Sequence, residues 1–363
     1  MSALSLEKLR LINFRSYEKI SWSCEPGINI IYGPNGVGKT NLLESIGYLG
    51  IARSFRQKKD QQLINWGHHL FKIKGNCIIG GEPTEIEIVY QKNKKELTIN
   101  GFKSKFLQLL GIIPVIYFGP DDLNLLKGAP AYRRNFLDRE ISILDKIYCR
   151  NLQEYRKILL QRNDLLKSIK EGQASKNELE PWNIQLIDIG TKIIKKRSVF
   201  LNEIMPFINS LYQKIGRNEN LSLIYKPNIE DPNEWRNKIA INKNKEIQTG
   251  NTLWGPHRDD FSFYINNYDA RNFASQGQQR TAILVLKIAE AQYFEKVIGK
   301  MPILLFDDVF SELDEFRQCA LLDLLVNSNQ AFITTAEINK LPQNLINNAT
   351  IWEIYSGKIC KKI

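Results

Sequence analysis

Gly33-Pro34-Asn35-Gly36-Val37-Gly38-Lys39-Thr40 fits the pattern GxxxxGK[ST] at every fixed position, and the apolar run Ile28-Asn29-Ile30-Ile31-Tyr32 leads directly into it. The run predicts a short strand, and Thr40 to Leu49 (TNLLESIGYL) carries apolar residues at helical spacing. A glycine-rich turn between strand and helix lets successive backbone N–H groups point at phosphate oxygens, with the helix N-terminus adding positive potential. Lys39 can then place its ammonium between β- and γ-phosphates, and Thr40 can ligate Mg²⁺ through its hydroxyl. The segment implies a site for a nucleoside triphosphate, and ATP with Mg²⁺ is the expected cofactor pair.

A phosphate loop needs a second half to hold the metal and aim a water. Ile303-Leu304-Leu305-Phe306-Asp307-Asp308 supplies four apolar residues and then two carboxylates. Asp307 is the expected Mg²⁺ ligand with Thr40. Asp308, one residue further on, is placed to orient or activate the attacking water, so Asp308 and Lys39 are the expected catalytic pair. Lys39 and Asp307 lie 268 residues apart, so one sheet must draw strands from both ends of the chain.

What intervenes has a different texture. Phe71–Ile79, Thr84–Tyr90 and Glu96–Asn100 read as an antiparallel meander separated by Gly80-Gly81 and ended by Asn100-Gly101. From Phe136 to about Lys170, and again from Asn183 to Lys214, the pattern is helical, with the breaker-rich loop Gly172–Pro181 between. Beyond Pro227–Pro232 the α/β texture returns: Ser275–Glu295 and Glu315–Val326 are predicted helices, Pro302–Phe306 and Ala331–Thr335 strands. The expectation is one α/β unit split by a helical insertion.

Composition narrows the class. The 363 residues are 43% hydrophobic and 25% charged, an ordinary globular balance that excludes disordered and fibrous chains. No apolar run approaches a membrane span. Five scattered cysteines, never in CxxC spacing, read as reduced cytosolic thiols, and three histidines make a histidine-rich metal centre implausible. The net charge is +11, and residues 141–216 hold 13 Lys/Arg against 8 Asp/Glu. Such an excess fits an anionic partner, and Arg150, Arg156, Lys157, Lys192, Lys195, Lys196 and Arg197 are the composition-level choices for DNA phosphate contacts.

Phe273-Ala274-Ser275-Gln276-Gly277-Gln278-Gln279-Arg280 precedes a helix that Ser275 could cap. Standing some 30 residues before the Asp-Asp strand, it resembles the signature motif of ABC ATPases, and Ser311-Glu312-Leu313-Asp314 resembles their D-loop. Three further segments are similar to the RecF family of bacterial recombination- and gap-repair ATPases. They are Pro120–Asp138 (PDDLNLLKGAPAYRRNFLD), Leu305–Arg317 (LFDDVFSELDEFR) and Gly255–Asp260 (GPHRDD), joined by Asn13-Phe14-Arg15 near the start. The matches run from residue 13 to residue 317.

The resemblance implies an α/β fold: an SMC-like, ABC-type P-loop ATPase head at 1–125 and 250–363, with an α-helical arm domain at 126–249. Two arms of about 30 residues span only about 45 Å, so a long coiled coil is not expected. It further implies a weak DNA-dependent ATPase in which Ser275, Gly277 and Gln278 of one subunit meet the nucleotide on the P-loop of another. ATP then closes a head-to-tail homodimer on duplex DNA near single-strand junctions, and slow hydrolysis releases it. The implied partners are RecR and RecO, the implied outcome RecA loading at gaps and stalled forks, and the implied location the cytoplasm, at the nucleoid. Two positions depart from the wider ABC pattern. Asp308 stands where transporters usually carry Glu, one methylene longer, which suggests a switch-like turnover. Thr335-Ala336 stands where a switch histidine is usual, and Gln57, Gln61, Gln62 and Gln108 all remain open as the Q-loop glutamine. Transporter and metabolic-kinase readings fit the helical insertion, the charge and the Asp-Asp pair less well.

Overall fold

The computed structural model describes residues 4–56, 59–215, 219–310, 313–326, 328–355 and 357–362. The chain opens on β1 (Leu4–Phe14), β2 (Tyr17–Ser23) and β3 (Gly27–Tyr32), then α1 (Lys39–Ile51). β4 (Leu70–Ile79), β5 (Glu82–Gln91), β6 (Lys94–Ile99) and β7 (Phe102–Lys103) precede α2 (Phe106–Leu109) and β8 (Val115–Phe118). Helices α3 (Asn124–Lys127), α4 (Pro130–Leu144), α5 (Lys146–Lys170) and α6 (Leu179–Ile215) come next. After them come β9 (Leu221–Lys226), α7 (Pro232–Thr249), β10 (Asp260–Ile265), β11 (Tyr268–Asp269), α8 (Ala270–Phe273) and α9 (Gln276–Ile298). The last part alternates β12 (Ile303–Asp307), α10 (Glu315–Val326), β13 (Gln330–Thr335), α11 (Gln343–Asn347), β14 (Ala349–Tyr355) and β15 (Lys358–Lys361).

Contacts divide the chain into two units, Met1–Asp122 with Leu284–Ile363, and Leu123–Ile283. The first unit stacks two sheets of opposite character. One is antiparallel in the order β2-β1-β4-β5-β6-β7, and along β4 buried residues alternate with partly buried ones because one face is the more open to water. The other runs β15-β14-β3-β13-β12-β8, parallel from β14 to β8, and its central strands Ile303–Asp307 and Gln330–Thr335 are buried throughout. Leu9, Leu11, Phe14, Leu42, Ile46, Leu305 and Phe332 belong to one continuous core that also takes in α1. Buried Gln330 on β13 ties the layers: its Oε1 accepts from the Leu6 N–H at 2.7 Å and its Nε2 donates to the Leu6 carbonyl at 2.9 Å.

The second unit is mainly helical, with the three-stranded sheet β11-β10-β9. Here the structure corrects one expectation. The helical run from Phe136 to Lys170 is two helices, because Asp145 is extended and accepts from the N–H groups of Ile147 (2.8 Å) and Tyr148 (3.0 Å) as the N-cap of α5. The division by contacts falls after Asp122 and after Ile283, inside α9. Residues 250–283 join the second unit because β10 pairs along its whole length with β9, and Arg133 of α4 grips Asp260 with two hydrogen bonds of 2.6 and 2.9 Å.

Candidate functional site

β3 delivers the chain to Gly33, and Gly38 caps α1 in the left-handed region at φ 107°. Glycine is required there twice over. A Cβ on Gly38 would lie 2.6 Å from Ser16 Oγ, and Tyr17 OH already donates to the Gly38 carbonyl at 3.0 Å. A Cβ on Gly33 would sit 2.6 Å from the Ile354 carbonyl. Pro34, Asn35, Gly36 and Val37 complete a loop that wraps Lys39, which is only 8% exposed. Its Nζ donates to the carbonyls of Gly33 (2.6 Å) and Pro34 (2.9 Å). Burial pulls the ammonium pKa down, with Asp308 and Asp307 partly opposing that.

β12 is two strands from β3 in the parallel sheet, and that order brings the two halves of the site together across 267 residues of chain. Thr40 Oγ1 donates to Asp307 Oδ1 at 2.8 Å. The same oxygen accepts from Thr334 Oγ1 (2.8 Å), while Oδ2 accepts from Tyr117 OH (3.0 Å). Three hydroxyls from α1, β13 and β8 therefore aim one carboxylate. Tyr117 is kept protonated, since burial and then the Asp307 charge push its pKa up. Asp308 adopts φ 54°, a conformation Asp tolerates better than most residues. Its N–H donates to the Thr334 carbonyl (3.2 Å) and hydroxyl (3.1 Å), so its backbone is fixed beside Asp307.

Tyr117 and Thr334 were not among the expected site residues. Pro114-Val115-Ile116-Tyr117-Phe118 is the kind of short apolar run that marked β12, so β8 was findable, but nothing in it says where its tyrosine points. Arg15, at the end of β1, holds fully buried Glu44 of α1 with bonds of 2.8 and 2.9 Å and donates to the Gln62 carbonyl at 3.1 Å. Beside it lies an open groove of about 1090 Å³ whose lining includes Ser16, Asn41, Gln61, Gln62, Trp66 and Tyr90. Gln108 Oε1 accepts from the Lys105 N–H at the start of α2 (2.8 Å). Gln57, together with Ser311 and Glu312 of the D-loop segment, lies outside the described residues. Thr335, at the switch position, donates to the Glu337 carbonyl at 3.0 Å.

In the second unit Ser275 caps α9. Its Oγ accepts from the Gln278 N–H at 3.2 Å, and Gln278 Oε1 accepts from the Ser275 N–H at 2.8 Å, a reciprocal capping box. Gln278 Nε2 also reaches Glu219 Oε1 at 2.6 Å. Ser275 is exposed and Gly277 half-buried, so the turn is open to a ligand. Of the basic residues chosen for DNA, Arg150, Arg156, Lys157, Lys192, Lys195 and Lys196 are exposed on α5 and α6. Arg156 pairs with Asp138 (3.0 Å), Lys192 with Asp188 (2.7 Å) and Lys196 with Asp145 (2.7 Å). Arg197 is a correction. It is 2% exposed and spends its donors on Asp138, Asp259, the Pro256 carbonyl and Tyr148 OH, so no phosphate can reach it.

A P-loop between parallel strand and helix, closed by an aspartate two strands away in the same sheet, places the chain in the class of ABC-type ATPase heads related to SMC proteins. The family model described as RecF/RecN/SMC N terminal domain matches residues 5–351. The Smc head domain from Pyrococcus furiosus shares the fold at TM-score 0.55 and 17% identity, covering 99% of this chain and 96% of that one. Within the class the chain belongs to the RecF family. It is 55% identical over 358 residues to the DNA replication and repair protein RecF of Moorella thermoacetica, covering 99% of this chain and 97% of the relative. It is 37% identical to RecF of Halalkalibacterium halodurans, with 99% and 100% covered. A solved structure of the recombination mediator protein RecF with ATP, from the RecFOR pathway, superposes at TM-score 0.92 with 34% identity over 100% of this chain and 98% of that one. Among the described residues no helix is long and apolar enough to cross a membrane.

Proposed function

We propose that this chain is an ATP-dependent DNA-binding protein of recombinational and gap repair. ATP binding drives head-to-tail dimerisation that clamps DNA, slow hydrolysis releases it, and the chain acts with RecR and RecO in loading RecA at single-strand gaps and stalled forks. The observation that carries the reading is the junction of Thr40, Asp307, Thr334 and Tyr117 beside an ammonium whose hydrogen bonds, among the described residues, go to loop carbonyls.

The donor set suits the group it must hold. A hydroxyl oxygen and a carboxylate oxygen 2.8 Å apart are hard ligands on one spot, and Mg²⁺ is typically held by one or two such groups plus substrate phosphates. When bound, the ion supplies positive charge where the β- and γ-phosphates meet. The chain's own residues do the rest. Lys39 exchanges its two carbonyls for phosphate oxygens, which compensate a charge that burial now penalises. Tyr117 and Thr334 hold Asp307 in one orientation, and Asp308 orients the attacking water. The groove beside Asn41 and Trp66 has room for the nucleoside. Ser275, Gly277 and Gln278 offer an exposed helix N-terminus to the γ-phosphate carried by a second subunit.

The test is duplex-DNA binding by fluorescence anisotropy at fixed salt, with and without Mg-ATP, for the wild type and for Ser275→Arg. Binding that needs ATP and is lost in the variant, while the variant still binds nucleotide as a monomer, is the expected result. Binding indifferent to both would remove the clamp and leave an ATPase whose basic charge is incidental.

A further inference from the structure

The second unit holds a cavity of about 170 Å³. α4 turns Arg134, Asn135 and Asp138 toward it, α5 adds Arg156, and Arg197 and His257 contribute to the lining. The spacing 134, 135, 138 is one helical face, so a single side of α4 meets a single side of α5.

Charge counting around the cavity leaves a remainder. Asp138 Oδ1 accepts from Tyr148 OH and Arg197 (2.8 Å each), and its Oδ2 accepts from Arg156 at 3.0 Å. Arg197 also neutralises Asp259 at 2.9 Å, and Arg133 neutralises Asp260. The three carboxylates are thus matched by Arg133, Arg156 and Arg197. Arg134 is the fourth cation. Its one hydrogen bond goes to the Asp259 carbonyl at 2.9 Å, and among the described residues it has no ion pair. Four of its five N–H donors are unspent, as are most of those on Arg156. Burial first, and the neighbouring Arg197 charge second, pull the Arg134 pKa down, against the opposing pull of Asp260, Asp138 and Asp259. His257 does not add to the positive side. Its rings' nitrogens are taken up by Tyr155 OH (2.8 Å) and the Thr252 carbonyl (3.1 Å), and burial pushes its pKa down to about 4.

We propose that this cavity is a seat for one phosphate group, gripped by Arg134 and Arg156 with help from the Asn135 amide. Guanidinium forks match tetrahedral oxyanions in two-point contacts. A water takes about 30 Å³ of liquid, so the space admits a phosphate and a few waters. The phosphate comes either from a DNA backbone, in which case the seat rests on the DNA-binding reading above, or from free phosphate.

The full-length protein, its P-loop saturated with a non-hydrolysable ATP analogue and Mg²⁺, separates these sources in two arms. In the first, inorganic phosphate is titrated at constant ionic strength and the unfolding midpoint followed. The wild type should rise by a few degrees more than Arg134→Gln, since general salting-out acts on both alike. In the second, duplex-DNA affinity is measured against salt, and Arg134→Gln should lose about 0.9 of the logarithmic slope, one counterion contact. A phosphate response with an unchanged slope supports the seat and assigns it to free phosphate; a lost slope supports it and assigns it to DNA. Variant and wild type alike in both arms would overturn the proposal. Wild type that fails to bind DNA at all would sink the clamp reading and still leave the first arm readable. Arg134→Lys keeps the charge and loses the fork, so it should hold the slope and weaken the phosphate response, and it serves should the glutamine variant not fold.

Discussion

Lys39 and Arg197 are both buried cations, 8% and 2% exposed, and the two units hold them in opposite ways. Lys39 rests on two loop carbonyls, neutral acceptors that a phosphate can replace. Arg197 is locked between two carboxylates, a carbonyl and a phenol, with nothing left to give. Arg162 repeats the second pattern with Glu246 (2.6 Å), Thr252 (2.8 Å) and Asn183 (2.9 Å). The difference teaches that positive charge marks a binding site only where its partners are exchangeable. Closed networks hold helices in register, whereas open ones wait for ligand.

Arg197→Ala should break the closed side most severely. It strands Asp259 as a buried charge and leaves Asp138 with Arg156 alone as its cation, and removing one member of such a set costs about 3–5 kcal/mol. Chemical denaturation should show that loss, and a variant as stable as wild type would mean water already reaches the cluster. Lys39→Ala should cost less stability than that, since its acceptors are neutral carbonyls and burial already penalises its charge, while nucleotide binding is lost. Equal stability losses in the two variants would erase the contrast.

Asp308→Asn sharpens the open side. A positioned base typically contributes about 10²–10⁴ in rate, so single-turnover hydrolysis should fall by at least about 100-fold. Nucleotide affinity should stay within about threefold, since Thr40 and Asp307 are untouched, and ATP-bound dimers should persist. Undiminished hydrolysis would move the water-activating role elsewhere.

These two regions were not equally legible. The P-loop and the Asp-Asp strand could be read because their chemistry needs fixed residues at fixed spacing, and β3, α1 and β12 lie where that spacing demands. Thr40–Asp307 pairing follows from strand order, which motifs at both chain ends already required. Tyr117 and Thr334 could not be read, because their roles depend on which neighbouring strand presents which face. Arg197 was misjudged for the same kind of reason. KIIKKR looks like a uniform basic run, yet on α6 Lys195 and Lys196 face water while Arg197 turns inward to Asp259, 62 residues away. Asp145 hid the break between α4 and α5, since a helical period continues on both sides of it.

Acid should act on the closed side. His257 in the folded chain titrates near 4, against about 6.5 when unfolded, so between those values the unfolded state alone carries the extra proton. Stability is therefore complete above about 6.5 and falls as pH drops toward 4, by up to about 3 kcal/mol from this one group. His257→Gln should flatten the stability–pH curve in that window, and an unchanged curve would assign the acid response to other groups.

The smallest effect tests the exposed helices. Lys157 on α5 is exposed and has no ion pair among the described residues, whereas Lys192 on α6 is paired with Asp188 four residues earlier. Each exposed pair is worth little in stability, at most about 1 kcal/mol. A phosphate must nevertheless displace the carboxylate at Lys192 and nothing at Lys157. If both face DNA, Lys157→Ala should reduce the salt slope of duplex binding by about 0.9, and Lys192→Ala by less. Asp188→Ala should then raise affinity, because it converts a partly committed cation into an open one. A slope indifferent to all three substitutions would place the DNA on another surface, and the exchangeable-partner rule would then hold for the nucleotide site without extending to these two helices.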